Sequence, residues 1–493
     1  MVHTAKVWGG PAQTVLGSLA LWSRVTPDAP VVVTHGEIRG RSAVRVWTYR
    51  EVSLMAAAAA ACLQEHLRVD EAIVLQAPNG PEFVSWFLGG LIAGVRVCAM
   101  HPSSTAHEIG RVAERAESHL VIGPRQCPSL LHLPLAPPPG RPTDPLWHAE
   151  CPSGGSVILQ SSGTSGAPRL ARRTELSLDA DARGLAGAAT LSPADRVLMT
   201  VPMSHSYGVD LLVATILAGA SMQVFGSFDL ASVQQVLRDG GATVFPGVPF
   251  MFEALGRTES ERPSASLRLA FSAGSSLPPR VSCEFEAAWG FPIGQLYGAT
   301  ELGTVTLGHP AHPEFDARSV GLPVLGASVR VASPGNRDSL LPVGTLDEGE
   351  LAVMAPSMLA EYVDGDPPLI DGHFPTGDLG RVDSSGRVHI TGRLTHLIDV
   401  GGLKVNPVEV EQAMCEHPGI AECALVPIQL SDTVVRLRLL FVARGSAAPL
   451  PDDLRSFARE RLSPHKLPRI IEQVGSLPRT PAGKLLRHLV GHQ

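Results

Sequence analysis

The sequence predicts an α/β fold with a large N-terminal domain of parallel-rich sheets flanked by helices. The first observation is the stretch 72–100, where a buried strand, a Pro-Asn-Gly break, an apolar helix and a second strand follow one another. The second is that the same alternation returns over 196–225. Such repetition is typical of parallel sheets covered by helices on both faces, with ligands beyond the carboxyl ends of the strands. The individual predictions are strands at 72–77, 95–100, 196–201 and 221–225, and helices at 82–94 and 210–218.

Two changes in the sequence pattern divide the rest of the chain. From about Gly326, short strands separated by turn signals such as Asp364–Gly365 predict a β-rich subdomain. After Arg393, helices and strands alternate over about 100 residues, enough for a domain that folds separately. We therefore predict a large domain over residues 1–393 and a small, mobile α+β domain over 394–493. The small domain is predicted to have helices at 407–415 and 453–462 and strands at 421–427 and 434–443.

Composition excludes several classes of protein. The 493 residues carry 40 Lys and Arg against 47 Asp and Glu, a net charge of −7 that argues against a general nucleic-acid binder. With 44% hydrophobic residues the chain is not globally disordered. The most apolar stretch, 83–95, is shorter than the roughly 20 residues of a membrane-spanning helix, and the first residues, MVHTAKVWGG, lack the apolar segment of a signal peptide. Seven cysteines without a CxxC pair favour a reducing cytoplasm over disulfides or a zinc site.

A loop rich in Ser, Thr and Gly follows a strand-like run in Val157–Pro168, VILQSSGTSGAP. Its glycines free backbone N–H groups to surround an anion, its hydroxyls add donors, and Arg169 adds a fixed positive charge. A plain Ser/Gly linker is the alternative, since such runs are common. The chain has neither a GxxxxGK[ST] motif nor a GxGxxG motif, so any phosphate binding here differs from those two patterns.

Four further stretches follow this loop in a definite order. They are QLYGATEL at 295–302, TGDL at 376–379 with Gly392–Arg393 after it, GGLKVNPVEVE at 401–411, and LPRTPAGKLLR at 477–487. With these motifs in this order, the chain resembles the adenylate-forming ligase superfamily from about residue 40 to residue 490. That superfamily includes acyl- and aryl-CoA synthetases, peptide-synthetase adenylation domains and beetle luciferases, and the resemblance is to its AMP-forming CoA synthetase branch.

The resemblance implies a site for ATP and Mg²⁺. The loop Ser162–Gly166 would hold the β- and γ-phosphates, with the Thr164 hydroxyl near Mg²⁺, and Glu301 would bind that ion, since Mg²⁺ prefers hard oxygen ligands. Tyr297 would stack on adenine, and Gly274–Ser276 would read the adenine edge. The predicted nucleotide-binding set is Ser161, Ser162, Gly163, Thr164, Ser165, Gly166, Gly274, Ser275, Ser276, Tyr297, Gly298, Ala299, Thr300, Asp378, Arg393 and Lys484.

Three charged residues of that set have distinct implied roles. Asp378 matches the carboxylate that accepts both ribose hydroxyls, and Arg393 matches an arginine near the ribose and phosphate. Lys484 matches the lysine that bridges the carboxylate of the acid and the α-phosphate. A flexible ammonium group with three donors suits an attack by one anion on another, because it neutralises charge and positions the nucleophile. The plain alternatives are a turn aspartate, a surface arginine and a solvated lysine.

The resemblance also implies a pocket for the acid. His205, in VPMSHSYG, would stand at the mouth of the pocket, and the lining residues would be Tyr207, Val248, Pro249, Ser272 and Gly298. Plain core packing remains an alternative for the lining residues. Peptide-synthetase domains for α-amino acids carry an Asp near the position of Ser206–Tyr207, and here only Asp210, one helical turn on, is a rival. An ordinary α-amino acid is therefore disfavoured.

Two departures from the family pattern concern the predicted hinge. Thr395 stands where Asp or Lys is usual, and Asp399 stands where Lys is common. Both leave the adenylation residues in place, but they bear on how readily the small domain changes its orientation. In the phosphate loop, Arg169–Leu170 replaces the usual Lys–Gly and retains the positive charge.

The function predicted from the sequence is an AMP-forming ligase that joins a carboxylic acid to coenzyme A. The acid would first react with Mg·ATP to give an adenylate, and rotation of the small domain would then admit the thiol. An aryl or other bulky hydrophobic acid is the predicted substrate. The alternatives are transfer to the phosphopantetheine arm of a carrier protein, a non-catalytic nucleotide-binding relative, and a luciferase-like oxygenase. The sequence indicates neither an oligomeric state nor a protein partner.

Overall fold

The computed structural model describes residues 14–38, 41–127, 129–136, 154–161, 168–226, 228–258, 265–333, 336–342, 347–394, 397–445 and 448–478. The helices in these ranges are α1 Val15–Val25, α2 Tyr49–His66, α3 Pro81–Ala93, α4 Ala106–Arg115, α5 Glu175–Ala188, α6 Ser206–Ala218, α7 Leu230–Arg238, α8 Pro249–Gly256, α9 Pro279–Trp289, α10 Pro407–Cys415 and α11 Pro451–Arg461, with a 3₁₀ turn at Pro464–Lys466.

The strands in these ranges fall into five sheets. In chain order they are β1 Pro30–Ile38, β2 Arg41–Thr48, β3 Ala72–Gln76, β4 Arg96–Met100, β5 Ser118–Ile122, β6 Leu131–Leu133, β7 Ser156–Ser161, β8 Arg169–Thr174, β9 Arg196–Met199, β10 Ser221–Val224, β11 Val244–Gly247, β12 Leu269–Ser272, β13 Gly294–Ala299, β14 Gly303–Gly308, β15 Leu322–Pro323, β16 Ser328–Ser333, β17 Asn336–Leu340, β18 Gly349–Met354, β19 Glu361–Tyr362, β20 Phe374–Val382, β21 Val388–Arg393, β22 Ile398–Val400, β23 Leu403–Val405, β24 Ile420–Gln429, β25 Val435–Ala443 and β26 Ile470–Gln473.

Two large, mostly parallel sheets form the N-terminal part. One has the order β15-β14-β13-β12-β11-β9-β10-β1-β2 and the other β19-β8-β7-β4-β3-β5-β6. Both contribute to one hydrophobic core, which includes Leu75 and Val97 from the second sheet, Leu198 from the first, and Phe87 of α3. Helix α3 is apolar nearly all round and buried, as a helix between sheets must be. The predicted parallel-rich α/β class is confirmed.

Helices α2 and α4 begin with the same capping arrangement. Thr48 accepts from the backbone N–H of Glu51, whose carboxylate accepts from the N–H of Thr48. Thr105 and Glu108 repeat this exchange at the start of α4. Each box satisfies two N–H groups that the first turn of a helix leaves free.

The remaining sheets are smaller. A five-stranded antiparallel sheet, β17-β16-β18-β20-β21, forms the predicted β-rich part. Beyond Arg393, the pair β22-β23 and the sheet β24-β25-β26 pack with α10 and α11 around a separate core that includes Val410, Leu439 and Leu454. This α+β unit accords with a small C-terminal domain, while the boundary at residues 393 and 394 stays a prediction.

Candidate active site

The predicted acid-pocket residues lie at the carboxyl ends of neighbouring strands. In the large sheet β13, β12, β11 and β9 are adjacent and parallel. Val248 follows β11, Ser272 ends β12, Gly298 lies near the end of β13, and His205 comes after β9 as the N-cap of α6. Because the ends of parallel strands meet at one edge, segments far apart in sequence come together there, as ligand sites in such sheets require.

Several buried polar atoms at this edge have no hydrogen-bond partner within the described ranges. They are the Tyr207 hydroxyl, Ser272 Oγ and Ser204 Oγ. The Tyr207 ring lies 6.4 Å from that of Phe271, centre to centre. Unpaired buried hydroxyls are costly unless a ligand or water satisfies them, so these groups are candidates to contact a substrate. Pro249 is the first residue of α8, a position where its missing N–H costs nothing.

Asp210 is not available to a substrate ammonium group. Its Oδ1 accepts from Arg173 Nη1 at 2.7 Å, and its side chain is 5% exposed. The same guanidinium binds Asp181 at 2.7 Å. Asp210 is therefore excluded as a group that binds a substrate ammonium, because its carboxyl group is held in an internal cluster.

The predicted adenine and ribose residues meet in one hydrogen-bonded group. The Tyr297 hydroxyl on β13 donates to Asp378 Oδ2 at 2.9 Å, and Arg393 Nε lies 3.1 Å from Asp378 Oδ1. Asp378 and Arg393 are directly opposed in the β20–β21 ladder, which fixes their separation. Burial raises the pKa of Asp378, while Arg393 and the tyrosine hydroxyl oppose that rise; burial likewise raises the pKa of Tyr297.

Glu301 is linked to the edge of the phosphate loop through a tyrosine that the sequence did not single out. The Tyr362 hydroxyl donates to Glu301 Oε1 at 2.9 Å. The Arg169 guanidinium lies over the Tyr362 ring, 3.4 Å from its centre, a cation–π contact. Tyr362 reaches this place because β19 pairs with β8, in which Arg169 is the first residue. The only sequence signal was an aromatic residue just before the Asp364–Gly365 turn.

Part of the predicted set lies outside the described residues. Ser162, Gly163, Thr164, Ser165, Gly166, Thr395 and Lys484 are in this group. The strands on either side of the loop are placed: β7 and β8 form an antiparallel hairpin with Ser161 opposite Arg169, so the loop joins their ends. Ser161 Oγ is buried and unpartnered within the described chain. Ala299 is the last residue of β13, and Thr300 and Glu301 lie in the turn between β13 and β14.

Comparison with known sequences decides the family. The AMP-binding enzyme model matches residues 19–363, and the AMP-binding enzyme C-terminal domain model matches residues 409–484. The chain belongs to the AMP-binding enzyme family. The predicted resemblance to adenylate-forming ligases is therefore confirmed.

Curated relatives of this AMP-binding enzyme carry the names of CoA ligases. A probable CoA ligase, CCL8, from Humulus lupulus is 30% identical over 367 residues, 67% of this chain and 60% of the relative. The aligned part thus spans about three fifths of that relative's length. 4-Coumarate–CoA ligase 1 from Oryza sativa subsp. japonica is 26% identical over 492 residues, 90% of this chain and 86% of the relative.

Solved structures share the whole architecture. An o-succinylbenzoate CoA synthetase double mutant from Bacillus subtilis, bound with a product analogue, has a TM-score of 0.83 at 20% identity and covers 97% of this chain and 98% of its own. A malonyl-CoA ligase ternary product complex with methylmalonyl-CoA and AMP has a TM-score of 0.78 at 27% identity, covering 92% and 98%. No helix in the described parts of the enzyme is long and apolar enough to cross a membrane.

The small domain of the enzyme contacts the site through a glycine turn. A Cβ on Gly402 would lie 2.9 Å from Val248, so this turn fits against the large domain only with glycine there. Gly274 has a φ of 85° and faces the carbonyl oxygen of Gly402. It belongs to the loop Gly274–Ser276, including Ser275 and Ser276, that is predicted to contact the edge of adenine. Asp399 binds the N–H of Gly402 at 2.8 Å and Lys404 Nζ at 2.8 Å. Asp399, which departs from the family pattern, therefore stabilises this turn.

Three histidines meet where the small domain reaches the pocket. The His101 ring lies 5.8 Å from that of His205 and 6.3 Å from that of His465, centre to centre. Burial lowers the pKa of His205 to about 4 and also lowers the pKa of the other two, so all three are neutral at pH 7. His465 comes from the small domain, and sequence reasoning missed it because only the tertiary arrangement brings it to His205.

Proposed function

We propose that the enzyme joins a carboxylic acid to coenzyme A in two steps. In the first, an oxygen of the acid attacks the α-phosphorus of ATP, the bond to pyrophosphate breaks, and an acyl adenylate forms. In the second, the CoA thiol loses its proton and attacks the acyl carbon, the bond to AMP breaks, and a thioester forms. The grouping of Tyr297, Asp378 and Arg393 beside the turn that holds Glu301 carries this proposal.

The described residues fit a nucleotide at this place. Asp378 offers a carboxylate that accepts hydrogen bonds, as the two ribose hydroxyls require, and Arg393 places a positive charge beside it. The cluster is next to the acid pocket, because Tyr297 is on β13 and Ser272 ends the neighbouring β12. The adenylate would therefore lie across the carboxyl edge of the sheet, with its acyl part towards Tyr207 and Phe271.

Glu301 suits a magnesium ion. Tyr362 occupies its Oε1 with one hydrogen bond, and a carboxylate has further lone pairs for a hard cation. We propose that Glu301 and Thr164 would hold Mg²⁺, which would offset the negative charge of the ATP phosphates. Lys484 would then serve the first step by neutralising the charges of the acid and the α-phosphate.

An aryl or bulky hydrophobic acid is the proposed substrate class. Phe271 and Val248 supply apolar surface, and Tyr207 and Ser272 supply unpaired hydroxyls for a polar substituent. The engagement of Asp210 by Arg173 supports the exclusion of α-amino acids. Names of relatives such as 4-coumarate–CoA ligase accord with CoA as the acceptor, and a carrier-protein arm is the alternative that the test below separates.

The first experiment measures pyrophosphate release with aryl, short-chain, medium-chain and amino acids, each with and without CoA. We expect release with one acid class, and CoA-dependent formation of AMP and a thioester. Release of pyrophosphate without any consumption of CoA would indicate that a carrier protein, and not CoA, accepts the acyl group. No release with any of the acids would contradict the proposed function.

A lysine variant tests the assignment of the first step. Lys484→Ala should suppress adenylate formation by about 10²–10³-fold, the range for loss of one charged group that acts on the transition state. It should leave thioester formation from a supplied adenylate within a few-fold of the parent. Arg487→Ala, which removes a charge from the same segment, is the matched control. Equal losses in both half-reactions would contradict the role.

A further inference from the structure

Glu108 joins the two domains while it also caps a helix. On the large-domain side its carboxylate accepts from the N–H of Thr105, the N-cap of α4, at 2.9 Å. On the small-domain side it accepts from Lys466 Nζ at 3.0 Å, from the Ser463 N–H at 3.2 Å and from the Ser463 hydroxyl at 2.5 Å. One carboxylate therefore holds a helix start and a neighbouring domain at once.

The contact is sheltered from water. The side chain of Glu108 is 12% exposed and that of Lys466 is 9% exposed. Lys466 also binds Glu409 at 2.8 Å, inside the small domain. Partial burial weakens screening by solvent, so the loss of one partner is costlier here than at the surface.

Other polar contacts also join the domains. Arg280 binds Asp432 across the boundary, with side chains 40% and 52% exposed, and Ser431 donates at 3.0 Å to Glu253, whose side chain is 2% exposed. Exposed ion pairs contribute between zero and about 1 kcal/mol. The ion pair at Glu108 is less exposed than the pair Arg280–Asp432, and with the hydrogen bonds from Ser463 it forms a charge-assisted restraint on the small domain.

This restraint fixes an orientation that suits the second step. With Lys466 and Ser463 on Glu108, the Gly401–Gly402 turn lies against Val248 at the site. The adjacent His465 lies against His101. An orientation with this face at the site is the one expected after Lys484 has withdrawn.

We propose that Glu108 is a positioning residue for thioester formation, which it promotes by holding the small domain in this orientation. The inference rests on the proposed two-step function. The adenylation orientation requires these contacts to break, so weakening them depletes the thioester-forming orientation without removing any group from the nucleotide or acid site.

The test replaces Glu108 by glutamine. Gln is accepted in the same capping position, so its oxygen keeps the bond to Thr105 while its amide NH₂ faces the Lys466 ammonium group. Glu51→Gln is the matched control, because Glu51 caps α2 through the same exchange with Thr48. The substitution at Glu51 makes the same chemical change in a capping box whose contacts are with its own N-cap.

Two rates are measured in the full-length enzyme. We expect Glu108→Gln to slow thioester formation from a supplied adenylate about tenfold or more, the loss that follows when one charge-assisted hydrogen bond is removed. ATP–pyrophosphate exchange with the acid should stay within about twofold, and Glu51→Gln should change neither rate. A parallel fall in both half-reactions, or no change in either, would overturn the proposal.

Hydrogen exchange gives a readout that does not depend on activity. Glu108→Gln should speed amide exchange around 463–467 while the amides of α4 keep their protection. Faster exchange in α4 itself would show a merely structural role, and unchanged exchange around 463–467 would overturn the restraint. If the parent enzyme shows no pyrophosphate exchange, the proposed function fails, yet this measurement still decides whether Glu108 holds the domain.

Discussion

Two arginine–aspartate clusters in this protein contain similar groups but have different roles. Arg173 lies between Asp181 and Asp210, and the guanidinium and Asp181 side chains are fully buried. Arg393 faces Asp378 with its side chain 36% exposed. The first cluster satisfies its own members, whereas the second has a carboxylate and a cation at an open edge. A buried, saturated cluster can support the fold, but only an accessible one can exchange its partners for a ligand.

The internal cluster supports the turn that presents Glu301. Asp181 accepts from the N–H of Thr304 at 2.9 Å, and Arg173 Nε donates to the carbonyl of Ser357 at 3.1 Å. Gly303, with φ of 69°, leaves room for the guanidinium, since a Cβ there would lie 2.6 Å from Arg173 Nη2. The cluster therefore affects the site by holding in place the residues above it that are proposed to contact the metal and the nucleotide.

The largest expected effect is the removal of the internal arginine. Arg173→Leu leaves two carboxyl groups without their cation in the core, and we expect a loss of about 3–5 kcal/mol in the free energy of unfolding. The measurement is denaturant unfolding with parent and variant. Arg172→Leu, on the neighbouring and partly exposed residue, is the control and should cost far less. Similar losses of unfolding free energy in Arg173→Leu and Arg172→Leu would contradict the special structural role of the buried cluster.

The two internal aspartates are expected to differ from one another. Burial and Asp181 together raise the pKa of Asp210 well above its usual value, which favours the protonated form of this carboxyl group. Burial alone would raise the pKa of Asp181, but the charge of Arg173 and the hydrogen bonds from Asp210, Arg173 and the Thr304 N–H together lower it. The two carboxyl groups beside the one cation therefore differ in how readily they hold a proton.

This difference predicts an asymmetric pair of variants. Asp210→Asn should cost less than about 1 kcal/mol at pH 7, because an amide can donate to Asp181 and accept from Arg173. Asp181→Asn should cost about 3 kcal/mol or more, because it leaves the buried guanidinium uncompensated. Equal costs would show that the proton is shared differently. Because folding raises the pKa of Asp210 above its unfolded value of about 4, the stability from this group falls as pH rises above that value, and Asp210→Asn removes that dependence.

The sequence predicts local structure better than it predicts these clusters. The helix predicted at 407–415 matches α10, and the strand predicted at 72–77 matches β3 to within one residue. Proline at a helix start and an unbroken apolar run are local signals. Arg173, by contrast, follows Arg172 in a charged strand, and no local pattern shows that one side chain is buried and the other partly exposed.

Candidate site residues divide in the same way. Tyr297, Asp378 and Arg393 were predicted from their motifs, and the structure brings them together. Tyr362 and Glu108 were missed because their partners are remote in sequence: Tyr362 meets Glu301, and Glu108 meets Lys466. Such pairings follow from how the sheets and domains pack, which spacing along the chain does not encode.

The open cluster should respond through ligand binding. Asp378→Asn keeps the size of the side chain but removes the charge that would accept the ribose hydroxyls and pair with Arg393. We expect the KM for ATP to rise about tenfold to a hundredfold, the value of one to two charge-assisted hydrogen bonds. The free energy of unfolding should change by less than in Arg173→Leu. A large loss of stability with an unchanged KM would mean that this cluster is structural too.

The smallest expected effect separates the hydroxyl of Tyr297 from its ring. Tyr297→Phe retains the aromatic surface proposed to stack on adenine and removes only the donor to Asp378. One neutral donor to a carboxylate contributes about 1–2 kcal/mol, so the KM for ATP should rise about fivefold to thirtyfold, while Tyr297→Leu, which also removes the ring, should raise it further. The two variants are compared by ATP titration of pyrophosphate release. Equal effects would show that the ring does not stack on the nucleotide, and that Tyr297 acts only by orienting the carboxylate.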